Sequence, residues 1–566
     1  MILLNPSRLE RTYQDERSAE VMQQTVEFFE RKGKTRLLAD YYDHSWYADF
    51  LDYAKDHRLL ATMCTPEVES ASDGRWDTWR ICEFAEILGF YGLNYWYTWQ
   101  VSVLGLGPIW MSSNQELRRR AAKALEAGGI FAFGLSEKSH GADIYSTDMV
   151  LTPNGDGDGW QANGRKYYIG NGNKAAIVST FGRIEGSDDY VFFAADPSHD
   201  DYNLLKNVVS SQNYVSEFEL KDYPVRESDI LHSGRDAWNA ALNTVNIGKY
   251  NLGWASIGMC THALYEAIAH AHNRILYGNP VTDFSHVRRM FVDGYSRLVG
   301  MKLFGLRAAD YMRIASPEDR RYLLYNPMMK MKVTTQGEEV INLLWDAIAA
   351  KGFEKDTYFG QAAIDIRALP KLEGTVHVNI ALIVKFMPNF FFNPAEYPPV
   401  ARQDQSHNDD FLFNQGGAGG LATIQFRDYR KAFEGCEAPN VRIFAEQTET
   451  FRKLLADNPP GPDQMKDVDF LLAAGEIFAL VVYAQLILEN AEIYRLDGDL
   501  LDQIFDYMVR DMSKHALSLS LQPSSNEEQI EGCKTMQRRP VFDEARYLRV
   551  WQNHVEPLDG AYTMKS

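Results

Sequence analysis

The 566-residue chain is short of cysteine, of basic charge and of uninterrupted apolar sequence, and each shortage excludes something. Its five cysteines (Cys64, Cys82, Cys260, Cys436 and Cys533) are odd in number, scattered and without a C-x-x-C pair, which argues against a disulfide framework or a zinc site. A reducing, cytoplasmic setting is expected. The 58 basic side chains are outnumbered by 77 acidic ones, a net charge of −19. A surface of that sign repels phosphate, so neither nucleic acid nor anionic lipid is expected as the main partner, although a local basic pocket for one anionic ligand stays open. No stretch reaches about 18 apolar residues without interruption. The N-terminal MILLNPSRLERTYQDERSAE turns charged before signal-peptide length is reached. The longest apolar candidate, Phe470 to Leu488, contains Glu476 and a small-residue stripe, and reads as a buried bundle helix of a soluble protein with no membrane span.

What is present is a globular composition: 45% hydrophobic, 13% aromatic and 24% charged residues, enough to fill several cores. At about 150 residues per domain the length suggests about three to four domains. Ser18 to Glu126 is helical almost throughout, with an apolar residue every three to four positions in Arg75 to Gly89 and a basic face at Arg118 to Arg120. The period then changes. Ile130 to Gly134 is a short apolar run, and Trp160 to Ile169, Ala175 to Phe181 and Tyr190 to Ala195 read as strands. Between them NGDGDG (Asn154 to Gly159) lacks the glutamate of a calcium loop and reads as a hairpin turn. Helical periodicity returns from Asp236 to about Phe386. Its long stretches are Tyr250 to Tyr277, with a small-residue face at Gly253, Ala255 and Gly258, and Thr282 to Ala315. NPAEYPP and NQGGAGGLA (Asn414 to Ala422) mark a mobile linker or lid, because no strand–turn–helix context or ribose-binding acid supports a Rossmann fingerprint there. Helices resume at Val441 and include Val468 to Ile493.

The expectation is a mostly α member of the α+β class. It has an all-α domain over 1–130, a β domain over 131–235, a helical bundle over 236–390, a linker over 391–440 and a C-terminal helical domain over 441–566. His262, His270 and His272 lack the i, i+4 spacing of a metal pair, and no metal is expected.

Three stretches carry residues that could do chemistry. FGLSEKSHGAD (Phe133 to Asp143) ends a strand and then turns, exposing N–H groups and the Ser136 hydroxyl, which suits a flavin ring edge or a pyrophosphate as well as an ordinary polar loop. RKYYIGNGNKA (Arg165 to Ala175) puts an aromatic pair before a glycine turn, and reads equally as a buried hairpin or as a wall against a planar cofactor. RALPKLEGTVHVN (Arg367 to Asn379) places Glu373 in an apolar loop that opens a helix. Desolvation there would suit a general base, and a capping partner would look the same.

In this order and spacing the pieces resemble the acyl-CoA dehydrogenase family of flavoproteins over about residues 15 to 390. PIWMSSNQELRRRAAKALEAGGIFAFGLSE (Pro108 to Glu137) resembles the helix and strand that lead to that family's flavin loop. GWQANGRKYYIGNGNKA (Gly159 to Ala175) resembles its W-x-x-x-G-x-K-x-x-I-x-N-G strand pair, and RILYGNPVTDF (Arg274 to Phe284) its R-x-x-F-G motif. DAIAAKGF (Asp346 to Phe353) stands where the family has Q-x-x-G-G-x-G, and LEGT (Leu372 to Thr375) where it has Y-E-G-T. The resemblance implies an N-terminal helical domain, a central β-barrel-like domain, a helical bundle and an added C-terminal helical domain, with extended FAD bound between subunits of a homodimer or tetramer.

It implies α,β-dehydrogenation of an acyl-CoA or acyl-carrier thioester to the trans-2-enoyl product. Glu373 would take the α-proton while a β-hydride passes to flavin N5, with Leu372 and Gly374 supporting the loop and an electron-transfer flavoprotein as acceptor. Phe133, Leu135, Ser136, Gly141 and Ala142 match the ring-binding strand and loop, with Ser136 in place of a threonine and Ala142 where many members have serine. Tyr168 matches a tryptophan beside the flavin, and Gly170 replaces a threonine near N5. Arg274 and Tyr277 fall in the cofactor-binding motif. Ala349 and Ala350 replace the Gly-Gly turn at the diphosphate. Thr375 keeps a cofactor contact, and His377 replaces a glutamine. Lys249 occupies the place of an arginine that supports the active-site loop. Gly170 and the His140-Gly141 pair resemble acyl-CoA oxidases, so oxygen as acceptor is one alternative, and a non-catalytic acyl-CoA-binding or partner subunit is another.

Overall fold

The change of period near residue 130 is a change of architecture: helices give way to one sheet, and helices return after it. The computed structural model describes residues 2–9, 15–141, 143–155, 157–417 and 419–566. The chain is mostly helical with a central sheet. It divides into two units, one made of Glu10–Asn251, Asp404–Gly419 and Met564–Ser566, the other of Met1–Leu9, Leu252–Gln403 and Gly420–Thr563. The helix Gly234–Asn273 belongs to the first through Asn251 and to the second from Leu252.

In the first unit the helix Thr78–Tyr91 starts at Asp77, whose carboxylate accepts the N–H groups of Trp79 (3.1 Å) and Arg80 (3.3 Å). The next helix, Leu93–Met111, is apolar all round and buried on every face. The strands are β1 (Ile130–Gly134), β2 (Val150–Pro153), β3 (Trp160–Gly170), β4 (Ala175–Ile184), β5 (Tyr190–Ala195), β6 (Tyr202–Asn207), β7 (Val215–Val225) and β8 (Ile230–Ser233), in the order β6-β7-β3-β2-β4-β5-β8. β1 pairs parallel with β4. It can lie against the helix Leu93–Met111 because Gly105 has no side chain: a Cβ there would stand 2.6 Å from the Ala132 nitrogen. Ala132, Met149, Leu151, Val178, Phe193 and Phe218 are among the side chains that fill the core of the sheet. As expected, Asn154 to Gly159 turns the chain between antiparallel β2 and β3, with the Asn154 N–H donating to the Gly159 carbonyl at 3.0 Å. Asp156 of that turn, like Ala418 of the glycine-rich stretch, lies outside the described residues.

The second unit is helical. Its helices include Ser285–Arg313, Tyr322–Met328, Thr334–Ile348, Val376–Ile383, Pro439–Asp457, Val468–Ile493 and Gly498–Ser520. Val468–Ile493 packs on Ser285–Arg313 and on Val376–Ile383, and Gly498–Ser520 packs on Ser285–Arg313. Partly buried ion pairs tie these helices together: Arg297 to Asp511 (2.9 Å), Arg307 to Glu489 (2.7 Å) and Arg510 to Asp293 (2.6 Å). Val468–Ile493 is long and apolar enough to cross a membrane by length and composition, and 78% of its apolar window is buried in the protein. The small-residue face does bring helices close, since a Cβ at Gly253 would meet the Met329 carbonyl oxygen at 2.7 Å.

One helical expectation is corrected. The helix expected to reach Tyr277 ends at Asn273, and Ile275–Leu276 pairs antiparallel with Asn279–Pro280 around Tyr277 and Gly278. Both turn residues sit at left-handed φ (52° and 85°), the geometry of a two-residue hairpin. The stretch 391–440 has only short helical turns. Phe426 anchors it among Phe386, Phe390 and Tyr325, and the Gln403 N–H donates to Asp310 at 2.8 Å. All five cysteines are free.

Candidate functional site

The residues singled out from the sequence fall in both units, and each group has its own local logic. In the sheet-bearing unit, β1 delivers Phe133 to the start of a tight turn closed by the Leu135 N–H on the Phe133 carbonyl at 3.0 Å. The Ser136 carbonyl accepts the Tyr167 N–H (3.0 Å) and the Leu135 carbonyl accepts Lys166 Nζ (3.1 Å). Leu135, Ser136, His140, Gly141 and Phe181 line a small cleft. Gly141 is exposed, with open space where a Cβ would stand. Ala142 lies outside the described residues.

Under this turn lies a pair that sequence reasoning missed. Lys166 Nζ is fully buried and sits 2.6 Å from Glu137 Oε1. Glu137 also accepts the Thr147 hydroxyl and the Asp148 N–H, each at 2.6 Å. Burial pushes the Lys166 ammonium down to about 8, against the pull of Glu137. For Glu137 the burial penalty is outweighed by Lys166 and the hydrogen bonds, which hold its carboxyl below the usual range. Glu137, His140 and Asp148 place their ligand atoms within 4.8 Å of one another. The donors already on Glu137, and the 2.9 Å contact of His140 with Asp148, make this an internal hydrogen-bond network that braces the turn. The sequence carries no local signal for it, since Glu137 stands in the polar run Ser136 to Ser139 and Lys166 follows Arg165.

Tyr168 stands at a register shift between β3 and β7, at φ 67° and 46% exposed. A bulky residue at left-handed φ is uncommon, and here it coincides with the bulge between β3 and β7. Asn171, also at positive φ and fully buried, fixes the following turn through the Thr98 and Phe131 carbonyls (2.8 and 3.0 Å). Gly170 is glycine for a steric reason: a Cβ would come 2.7 Å from Tyr97 and 2.8 Å from Val101. Lys249 is buried on the long helix.

In the helical unit Arg274 begins the short hairpin, where its carbonyl accepts the Val281 N–H at 2.9 Å, and Tyr277 at the tip is 94% exposed. Ala349 and Ala350 are exposed and follow the helix Thr334–Ile348. Ala349 adopts φ 53°, ψ −135°, a conformation suited to glycine. The turn that the Gly-Gly pair would make is thus formed without glycine. His270 is lowered first by burial and then by the Arg274 and Lys351 charges, against Glu354 and Glu266, and Lys351 is itself ion-paired with Glu354 (2.5 Å) and Asp356 (3.5 Å).

Glu373 is half-buried at φ 52°, followed by Gly374 at φ 86°, so two successive left-handed residues carry the carboxylate. Leu372 precedes it, also half-buried. Thr375 caps the helix Val376–Ile383 by accepting the Val378 N–H at 3.4 Å, and both Thr375 and His377 are exposed. The structure therefore holds Glu373, Thr375 and His377 at one helix start.

The sheet-bearing unit thus carries an exposed aromatic beside a polar turn, and the helical unit, taken by itself, a short hairpin and a half-buried carboxylate at left-handed φ. Residues 236–387 match the family model described as acyl-CoA dehydrogenase, C-terminal domain. The match is to this one segment, and the fold of the chain is likewise similar to that of an acyl-CoA dehydrogenase. A crystal structure of an acyl-CoA dehydrogenase complexed with FAD, from Bacillus anthracis, is similar over 98% of this chain and 97% of its own, with a TM-score of 0.77 at 15% identity, a likeness of fold. The caffeyl-CoA reductase-Etf complex subunit CarC of Acetobacterium woodii is 26% identical over 256 residues, which span 44% of this chain and 66% of that protein. The 3-(aryl)acrylate reductase of Clostridium sporogenes is 21% identical over 290 residues, 50% of this chain and 75% of that protein.

Proposed function

We propose that this chain is an FAD-dependent oxidoreductase that introduces or removes the α,β double bond of an acyl thioester, acting as an acyl-CoA dehydrogenase with Glu373 as the α-proton base. The observation that carries this reading is the Glu373 turn, a half-buried carboxylate held at left-handed φ at the start of a helix. A thioester acidifies its α-carbon, and a carboxylate shielded from water is a stronger base than a solvated one. The Glu373 N–H serves the thioester carbonyl, stabilising the enolate-like charge as the proton leaves.

The residues present fit FAD on one point in particular: Ala349 adopts the glycine-type conformation, so the turn offers its backbone as a Gly-Gly pair would. Bound FAD supplies the acceptor for the electron pair that leaves the β-carbon. By the resemblance, the residues proposed to bind the cofactor are Arg274, Tyr277, Ala349, Ala350, Thr375 and His377, and also Phe133, Leu135, Ser136, Gly141 and Tyr168, with Lys249 supporting the loop. An electron-transfer flavoprotein as electron partner is supported by the Etf complex named for the Acetobacterium relative. Two relatives are named as reductases, which supports a redox reaction that could run in either sense. A homo-oligomer and a cytoplasmic location complete the proposal, the latter supported by five free thiols.

The test is anaerobic mixing of the FAD-loaded protein with acyl-CoA and acyl-carrier thioesters of graded length and branching. Bleaching of the flavin with formation of the enoyl thioester is the expected result, followed by reoxidation over many minutes in air. Rapid peroxide release would assign an oxidase, and failure to take up FAD would assign a binding or partner subunit.

A further inference from the structure

The sequence MMKMKV (Met328 to Val333) puts two lysines inside an apolar run, and both are buried. They lie on a single π-helical turn, Met329–Val333, between the helices Tyr322–Met328 and Thr334–Ile348. Such turns are uncommon and recur at functional sites. Lys330, with no exposed surface, donates to the Pro370 carbonyl at 2.6 Å and to the Gly374 carbonyl, the two carbonyls that bracket Leu372 and Glu373. The Thr334 hydroxyl donates to the Lys330 carbonyl. Asn379 Nδ2 adds a second donor on the Gly374 carbonyl (3.2 Å) and one on that of Thr375 (2.9 Å).

A non-glycine residue at left-handed φ is strained and persists only when its surroundings over-determine it. Glu373 meets that condition because a charged donor, stronger than a neutral one, fixes the carbonyls on both sides of it. The other lysine, Lys332, interacts with Asp511 and Glu476 on the C-terminal helices, and its ammonium lies 5.8 Å from the centre of the Tyr483 ring. Glu476 also feels His377. The π turn therefore holds the glutamate loop through Lys330, while buried Lys332 lies near the Tyr483 ring and within the electrostatic reach of Asp511 and Glu476.

We propose that Lys330 is a positioning residue for Glu373, a tether that fixes the carboxylate for proton abstraction by clamping the Pro370 and Gly374 carbonyls. The proposal rests on the reading of Glu373 as the base.

Its test uses the full-length protein with Lys330→Met, which removes the ammonium at similar length. Two readouts are taken. In the FAD-loaded protein, the limiting rate of anaerobic bleaching by a thioester that reduces the wild type is expected to fall about 100-fold, the scale of a misplacement near 1 Å, with flavin content kept and half-saturation changed by less than about threefold. In the cofactor-free protein, amide hydrogen exchange over 371–379 is expected to accelerate at least about tenfold while that of Val468–Ile493 stays unchanged. A bleaching rate within about twofold of wild type, or a loss confined to thioester affinity, overturns the proposal. If Lys330→Met does not fold, Lys330→Gln, which keeps a donor for one carbonyl, is expected to give a smaller fall with the same loosened loop. Failure of both to fold assigns Lys330 to folding and overturns the positioning role. If no thioester bleaches the wild type, the reading of Glu373 falls, and the exchange readout decides the tether alone: unchanged exchange over 371–379 overturns it.

Discussion

Glu373 and Ala349 both sit at left-handed φ without being glycine, and they do so under different constraints. Glu373 is clamped by Lys330 and Asn379 through neighbouring carbonyls. Ala349 is exposed at a helix end, so its strain is relieved by a single change. Ala349→Gly is expected to raise stability by about 1 kcal/mol, the left-handed penalty less the added freedom of the unfolded chain. The urea midpoint should rise at unchanged slope, and a lower midpoint would contradict the assigned backbone. Gly170 makes the converse point. The resemblance to oxidases turned attention to a missing side chain there, but Tyr97 and Val101 already fill the space. Gly170→Thr is expected to destabilise by about 1–3 kcal/mol through overpacking, seen as a lower melting temperature, and not to act as a clean oxygen-reactivity switch.

At the scale of elements, the helix Gly498–Ser520 docks on Ser285–Arg313 through Arg297 and Asp511. Burial works to raise the Asp511 carboxyl, but the Arg297 guanidinium outweighs it and holds the group at about 2, below its ordinary 3.8. A depressed carboxyl contributes stability that is fully present above its unfolded value and is lost as pH falls through the folded one. Stability should therefore decline by about 2 kcal/mol from this pair between about pH 4 and 2. Asp511→Asn should lower the neutral-pH stability by about 3–5 kcal/mol, because the buried guanidinium is left unpaired, and flatten that acid slope. Urea titrations at stepped pH check both.

Elements differ in how far the sequence announces them. β3, β4 and β5 were legible because their apolar runs are bounded by turn residues, and the helices because of their period. β6 (YNLLKN) was not legible, since it is mostly exposed and has no buried face to impose alternation. β7 carries Glu217, Glu219, Lys221 and Asp222 among its apolar residues, and its place is set by pairing with β3 and β6. The hairpin after Asn273 was hidden inside a helical pattern, although Tyr277-Gly278 followed by Pro280 is turn chemistry. Of the proposed site, Glu373 and the stretches proposed to bind the cofactor are legible only through motif order. Lys330 and Lys166 could not, because their partners lie far along the chain: Lys330 acts on carbonyls about 40 residues away and Lys166 on a glutamate in another strand's turn.

At the scale of the whole molecule, the C-terminal helices belong to the same compact unit as Leu252–Gln403 and share its core and its buried ion pairs. A chain cut before Val441 should therefore lose the cooperative unfolding of that unit and aggregate, because Ser285–Arg313 and Val376–Ile383 would expose the faces that Val468–Ile493 covers. A monodisperse, flavin-binding truncated protein would contradict this.

The central claim is that Glu373 removes the α-proton. It is tested most directly by mixing FAD-loaded wild type and Glu373→Gln anaerobically with a thioester that bleaches the wild type. The account predicts that the variant keeps its yellow flavin and its binding of the thioester but does not bleach; bleaching at the wild-type rate, with enoyl product formed, would contradict it.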